Sequence, residues 1–104
     1  MKVERRRHIR VPGPFTAVRI GDRASVRIVD LSEGGCFIES AGNHPPIGGP
    51  IELKISFPDG ESILVRGETI YVRPGGYAVL FEGQPETTYR ELERAVDRIR
   101  SLTP

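Results

Sequence analysis

The sequence predicts a mostly-β single domain: about six short antiparallel strands forming a barrel or sandwich, with one C-terminal α-helix packed on it. Three observations lead there. The chain has 104 residues, enough for one hydrophobic core and too few for a second. Its 12 glycines and 9 prolines cut the middle of the chain into short segments, which favours strands joined by turns over long helices. Within those segments apolar and polar residues alternate, and near the C-terminus the apolar spacing changes from two to three and four.

Taken in order, the chain begins with a basic segment, Lys2 to Arg10, followed by Val11-Pro12-Gly13-Pro14. Two prolines around a glycine stop a helix and predict an extended, mobile connector. Residues 1–13 are thus expected to form a flexible arginine-rich arm ahead of a β-body over 14–84. Phe15–Ile20 and Ala24–Asp30 flank Gly21-Asp22-Arg23, a tight hairpin turn. Gly35–Glu39 reads as a further short strand, and Ala41–Pro50 as a Gly/Pro-rich loop. Ile51–Phe57 alternates without a fault and stops at Pro58-Asp59-Gly60, a turn. Ser62–Arg73 carries Gly67 in its middle, a signal for a bulge or barrel bend. Pro74-Gly75-Gly76 then turns the chain into Tyr77–Phe81.

The tail, 85–102, has a different period. Tyr89, Leu92, Val96 and Ile99 fall on one face of a helix of about four turns. Thr88 and Glu91 have capping-box spacing, and Thr87 is nearly as good a start.

Composition excludes several functions. The formal charge is +1 and aromatics make up 7% with no Trp, which disfavours a nucleic-acid surface built on stacked bases. One Cys and two His cannot build a disulfide framework or a thiolate metal cage. His8 and His44 sit in loops, and no His–carboxylate–nucleophile set has supporting spacing, so neither catalysis nor a metal or cofactor is expected. Cys36, in a short strand, reads as a small buried apolar residue. No apolar run approaches the roughly 20 residues that span a bilayer, and residues 1–10 hold no signal-peptide core. A cytoplasmic protein with no membrane insertion is expected.

Two segments carry chemistry. Arg5, Arg6, Arg7 and Arg10 place four guanidiniums within six residues, and guanidinium forks bind phosphates and guanine O6/N7 edges and stack on aromatic rings. Alone, such a cluster is more often a solvated basic tail. The second segment is Asp30-Leu31-Ser32-Glu33-Gly34-Gly35 at a strand end. Asp30 and Ser32 are two apart, so in extended backbone they share a face. A carboxylate with a nearby hydroxyl suits the N1–H and N2–H₂ donors of guanine, and glycines let a ligand approach the backbone. The alternative is an Asx or Ser turn closing the strand end.

Arg6-x-x-x-Arg10 followed after a hairpin by Asp30-x-Ser32-x-x-Gly35 resembles the PilZ domain, a bacterial receptor for cyclic di-GMP. The later rhythm of Gly49, Pro58-Asp59-Gly60, Gly67, Ile70-Tyr71 and Gly76-Tyr77-Ala78-Val79-Leu80-Phe81 is similar to it as well, with Ala78 where the family often has glycine. The resemblance implies a six-stranded antiparallel barrel with a C-terminal helix, one domain over 4–102. It also implies that the arginine arm wraps over cyclic di-GMP lying on the barrel face. Arg6 and Arg10 would contact phosphates and guanines, Asp30 and Ser32 a guanine's polar edge, and Gly34 and Gly35 would admit the ligand. Arg5 stands where the family tends to favour an intercalated ligand dimer.

The function so implied is a non-enzymatic second-messenger receptor that signals through an effector protein in trans, since the sequence shows no attached output domain. Two alternatives remain: a PilZ-like adaptor that binds no nucleotide, and a small barrel binding RNA or DNA through its basic arm.

Overall fold

In a computed structural model, which describes residues 10–102, alternation becomes a closed barrel. Its elements are β1 (Val11–Arg19), β2 (Ala24–Ser32), β3 (Gly35–Glu39), β4 (Pro50–Ser56), β5 (Ser62–Arg73), β6 (Gly76–Phe81) and α1 (Glu86–Leu102). The strands run β1-β2-β3-β6-β5-β4, and β1 pairs with β4 to close the ring. Every pairing is antiparallel. Closure decides between barrel and sandwich, and it leaves no sheet edge exposed.

Alternation sends one side chain in two inward. Phe15 and Ala17, Ile28, Cys36 and Ile38, Leu53 and Ile55, Ile63 and Val65, Tyr77 and Val79 fill the barrel from its six strands. Burying a Leu, Ile or Phe fully contributes about 1.5–3 kcal/mol. Helix α1 covers the interior with Leu92, Ala95 and Val96, while Tyr89 and Ile99 pack beside them. The stripe read from the sequence therefore faces the core, with Ala95 added to it. A 2.9 Å ion pair between Arg98 and Asp59 ties the helix to the β4–β5 turn.

Three expectations differ from the structure. Val11–Pro14 is not a connector: β1 starts at Val11, which pairs with Leu31, and Pro12 pairs with Asp30. The register shifts between Pro12 and Phe15, so Pro14 falls in a bulge, where a missing N–H breaks no ladder bond. The helix starts at Glu86, ahead of the capping-box residues. There the Pro85 carbonyl accepts from the Thr88 and Tyr89 N–H groups at 3.0 and 3.4 Å, and Glu86 complements the helix dipole. In β5 the bulge lies between Thr69 and Tyr71 and not at Gly67, where glycine instead lets the backbone pass close to the Leu80 carbonyl of β6.

At one barrel end, Arg19 holds the β1–β2 loop. It donates from Nε and Nη2 to Asp22 at 3.0 and 2.6 Å, and from Nη1 to the Tyr77 hydroxyl at 2.9 Å. That fork, with the Ala24 N–H, lowers the Asp22 carboxyl from 3.8 to about 2. A depressed carboxyl stabilises the fold above its unfolded pKa and stops doing so as pH falls through the folded one. Asp22→Asn is therefore expected to lower the melting temperature slightly at neutral pH, and the difference from wild type should vanish between pH 3.8 and about 2. Melts across that interval check it; a difference that widens on acidification would contradict it.

Candidate ligand-binding face

The outer face of the barrel carries Arg10 and Asp30, two of the polar residues that the sequence singles out. Strands β2 and β3 are joined by Glu33 and Gly34 alone, with Ser32 paired to Gly35. The register shifts between Ile28 and Asp30 on β2, which sets Asp30 opposite Phe37. Phe37 pairs with Ala78 of β6, and Ala78 with Tyr71 of β5. On the other side Asp30 pairs with Pro12. One continuous row, Pro12–Asp30–Phe37–Ala78–Tyr71, thus crosses five strands.

Arg10, immediately ahead of β1, reaches back onto this row, and its Nη1 donates to Asp30 Oδ1. The side chains are 54% and 29% exposed, so the pair is open on one side to a ligand. An exposed pair of this kind adds little to stability, about 0–1 kcal/mol. Arg10 and Asp30, 20 residues apart, are therefore brought together as a cation beside an acceptor.

Ser32 is placed differently from the expectation that it offers its hydroxyl to a ligand. It is 1% exposed, its Oγ accepts from the Gly34 N–H at 3.2 Å and donates to the Gly35 carbonyl at 3.4 Å. This is the serine turn, because so short a connection leaves backbone polar groups that the hydroxyl satisfies. Gly35 serves the barrel as well, since a Cβ there would run into the Val79 carbonyl of β6. Gly34 is tied to the same strand, its carbonyl accepting from the Phe81 N–H at 2.9 Å. Arg5 and Arg6, like His8, lie outside the described residues.

Beside this row stands another, Arg27–Glu39–Gly76–Arg73. Arg73 leaves its own row and lays its guanidinium over the Phe37 ring, 4.3 Å from the centroid. Composition points away from aromatics, yet Phe37 and Tyr71 are both on the face. Tyr71 belongs to the Ile70-Tyr71 pair of the family rhythm, whereas no sequence signal identifies Phe37 beyond outward parity along β3, whose partner β6 is far away in the chain.

The face is open, not a cavity. A groove of about 470 Å³ adjoins the second row, lined by Arg19, Ser25, Arg27, Asn43 and Tyr77 among others. Among the described residues no cluster of His, Cys, Asp and Glu could hold a metal ion. Burial pushes the Cys36 thiol well above its usual range, as expected for a core residue. No helix among the described residues is long and apolar enough to cross a membrane.

Comparison with known proteins fits this fold. The structure superposes on Bacillus subtilis MotI/DgrA, an inhibitor of motility, with TM-score 0.76 at 13% identity, covering 98% of this chain and 54% of that one. It matches Escherichia coli YcgR in complex with c-di-GMP at TM-score 0.74 and 20% identity, covering 96% and 48%. The isolated YcgR PilZ domain with c-di-GMP gives 0.71 at 18% identity, covering 95% and 94%. The chain thus spans about half the length of MotI/DgrA and of the longer YcgR structure, and at these identities the likeness is one of fold. No curated protein matches it by sequence. The sequence profile of the PilZ domain, however, matches residues 4–98, nearly the whole chain and both motifs. The chain belongs to the PilZ domain family.

Proposed function

We propose that this protein is a non-enzymatic cytoplasmic receptor for cyclic di-GMP that passes the signal to an effector protein. The observation that carries this is the approach of Arg10 to Asp30 on the outer barrel face. Cyclic di-GMP presents two phosphates and two guanines, so it needs guanidiniums for the anions and a carboxylate for the N1–H and N2–H₂ edge of a base. Arg10 and Asp30 supply one of each, and Arg5 and Arg6 lie a few residues earlier in the chain. Ser32, Gly34 and Gly35 act in the turn that fixes the end of β2. The YcgR structures, described as complexes with c-di-GMP, support the same ligand class.

A ligand drawing Arg5, Arg6 and Arg10 together over the row alters the surface that an effector meets. An adaptor without nucleotide has no need of a solvent-open Arg10–Asp30 pair. RNA or DNA binding would show an affinity that falls steeply with salt and little base preference. The test is competition: cyclic di-GMP should bind the purified chain and a labelled oligonucleotide should not displace it. Displacement by oligonucleotide, with steep salt dependence, would favour the nucleic-acid alternative.

A further inference from the structure

We propose that Arg73, stacked on Phe37, is a second cationic contact for the ligand, engaging the half of cyclic di-GMP that Arg10 and Asp30 do not hold. This rests on the receptor function just described.

Phe37 is directly opposite Asp30, and neighbouring strands are roughly 5 Å apart. A guanidinium centred 4.3 Å from the Phe37 ring therefore stands over the residue that pairs with Asp30, approaching from the β5 side, while Arg10 approaches from the β1 side. The two cations bracket the carboxylate. Cyclic di-GMP has two equivalent halves; if one guanine and phosphate engage Arg10 and Asp30, the others extend over the same face toward Arg73.

The local sequence prepares this position. A Cβ at Gly76 would run into the Ile38 carbonyl and would also meet the Phe37 ring edge at 2.8 Å, so the glycine that the close β3–β6 approach requires also leaves room for the ring beneath Arg73. Phe37 is 7% exposed while Arg73 is exposed. One guanidinium face is therefore desolvated in advance, and the other face with its N–H edge stays free to meet a base or phosphate. Among the described residues no salt bridge engages Arg73, whereas Glu39, the acid in its row, pairs with Arg27 at 3.5 Å. A planar cation held against a ring loses less rotamer freedom on binding than a free arginine does.

The experiment is calorimetric titration of cyclic di-GMP into wild type, Arg73→Ala, Arg73→Gln and Arg73→Lys, with melting temperatures of each. Ala and Gln should weaken binding about tenfold or more with melting temperatures within a few degrees of wild type, as for a surface cation. Lys should not restore affinity, because an ammonium cannot stack and fork at once. In wild type the Arg73 Nε–Hε NMR signal should shift on ligand addition, which a merely structural arginine would not do. Affinities within twofold of wild type for Ala and Gln overturn this proposal alone. A wild-type chain that binds no cyclic di-GMP removes the receptor function, and this contact with it.

Discussion

Asp30→Ala is expected to raise the dissociation constant for cyclic di-GMP roughly 10- to 150-fold, the loss of about 1.5–3 kcal/mol that removing a hydrogen bond to a charged group costs. Two effects combine in that residue. Its carboxylate supplies two acceptor oxygens for the paired donors of a guanine edge, and it holds Arg10 on the face through Oδ1. Asp30→Asn keeps the shape with one acceptor and should fall between wild type and Ala. Arg10→Ala should lose a similar amount by removing the phosphate contact itself. Because the pair is half exposed, all three variants should melt close to wild type. Calorimetry beside thermal melts checks this: unchanged affinity in Asp30→Ala would mean that the ligand lies elsewhere.

Gly35→Ala should have the opposite profile, with stability falling first. Its new Cβ would meet the Val79 carbonyl, backbone that cannot rotate away. Relief requires β3 and β6 to separate along a seam of five paired residues, Gly35–Leu80 to Glu39–Gly76. Overpacking of this kind costs about 1–3 kcal/mol, a fall in melting temperature of roughly 4–20 °C for a domain this size. Affinity measured well below that temperature should decline less than in Asp30→Ala. A variant that melts like wild type but no longer binds would assign Gly35 to the ligand and not to the barrel.

The strands are legible because each has one face in a core and one in water, and Ile51–Phe57 states that period without interruption. What escapes depends on chain segments meeting at a distance. Val11–Pro14 looks unfit for a strand until the bulge opposite β2 accommodates Pro14, with Pro12 paired to Asp30 ahead of it. Barrel closure rests on β1 meeting β4, a pairing no local pattern encodes. The candidate site divides the same way. Asp30 and Arg10 stand out by residue type and spacing, and the fold sets them together. Parity along β2 places Ser32 beside Asp30 and suggests a ligand donor, but the brevity of the Glu33-Gly34 turn uses its hydroxyl internally. Phe37 and Arg73 are invisible in the sequence, since their contact joins β3 to β5 over the intervening β6.

Titration of isotopically labelled protein with cyclic di-GMP, followed by NMR, tests most directly whether the outer face around Asp30 is where the dinucleotide binds. The expected result is saturable shifts centred on the amides of Arg10, Asp30 to Gly35 and Phe37, with the Arg19–Asp22 end of the barrel unchanged. Spectra that do not move at high-micromolar ligand, or shifts confined to that far end or to α1, would contradict it.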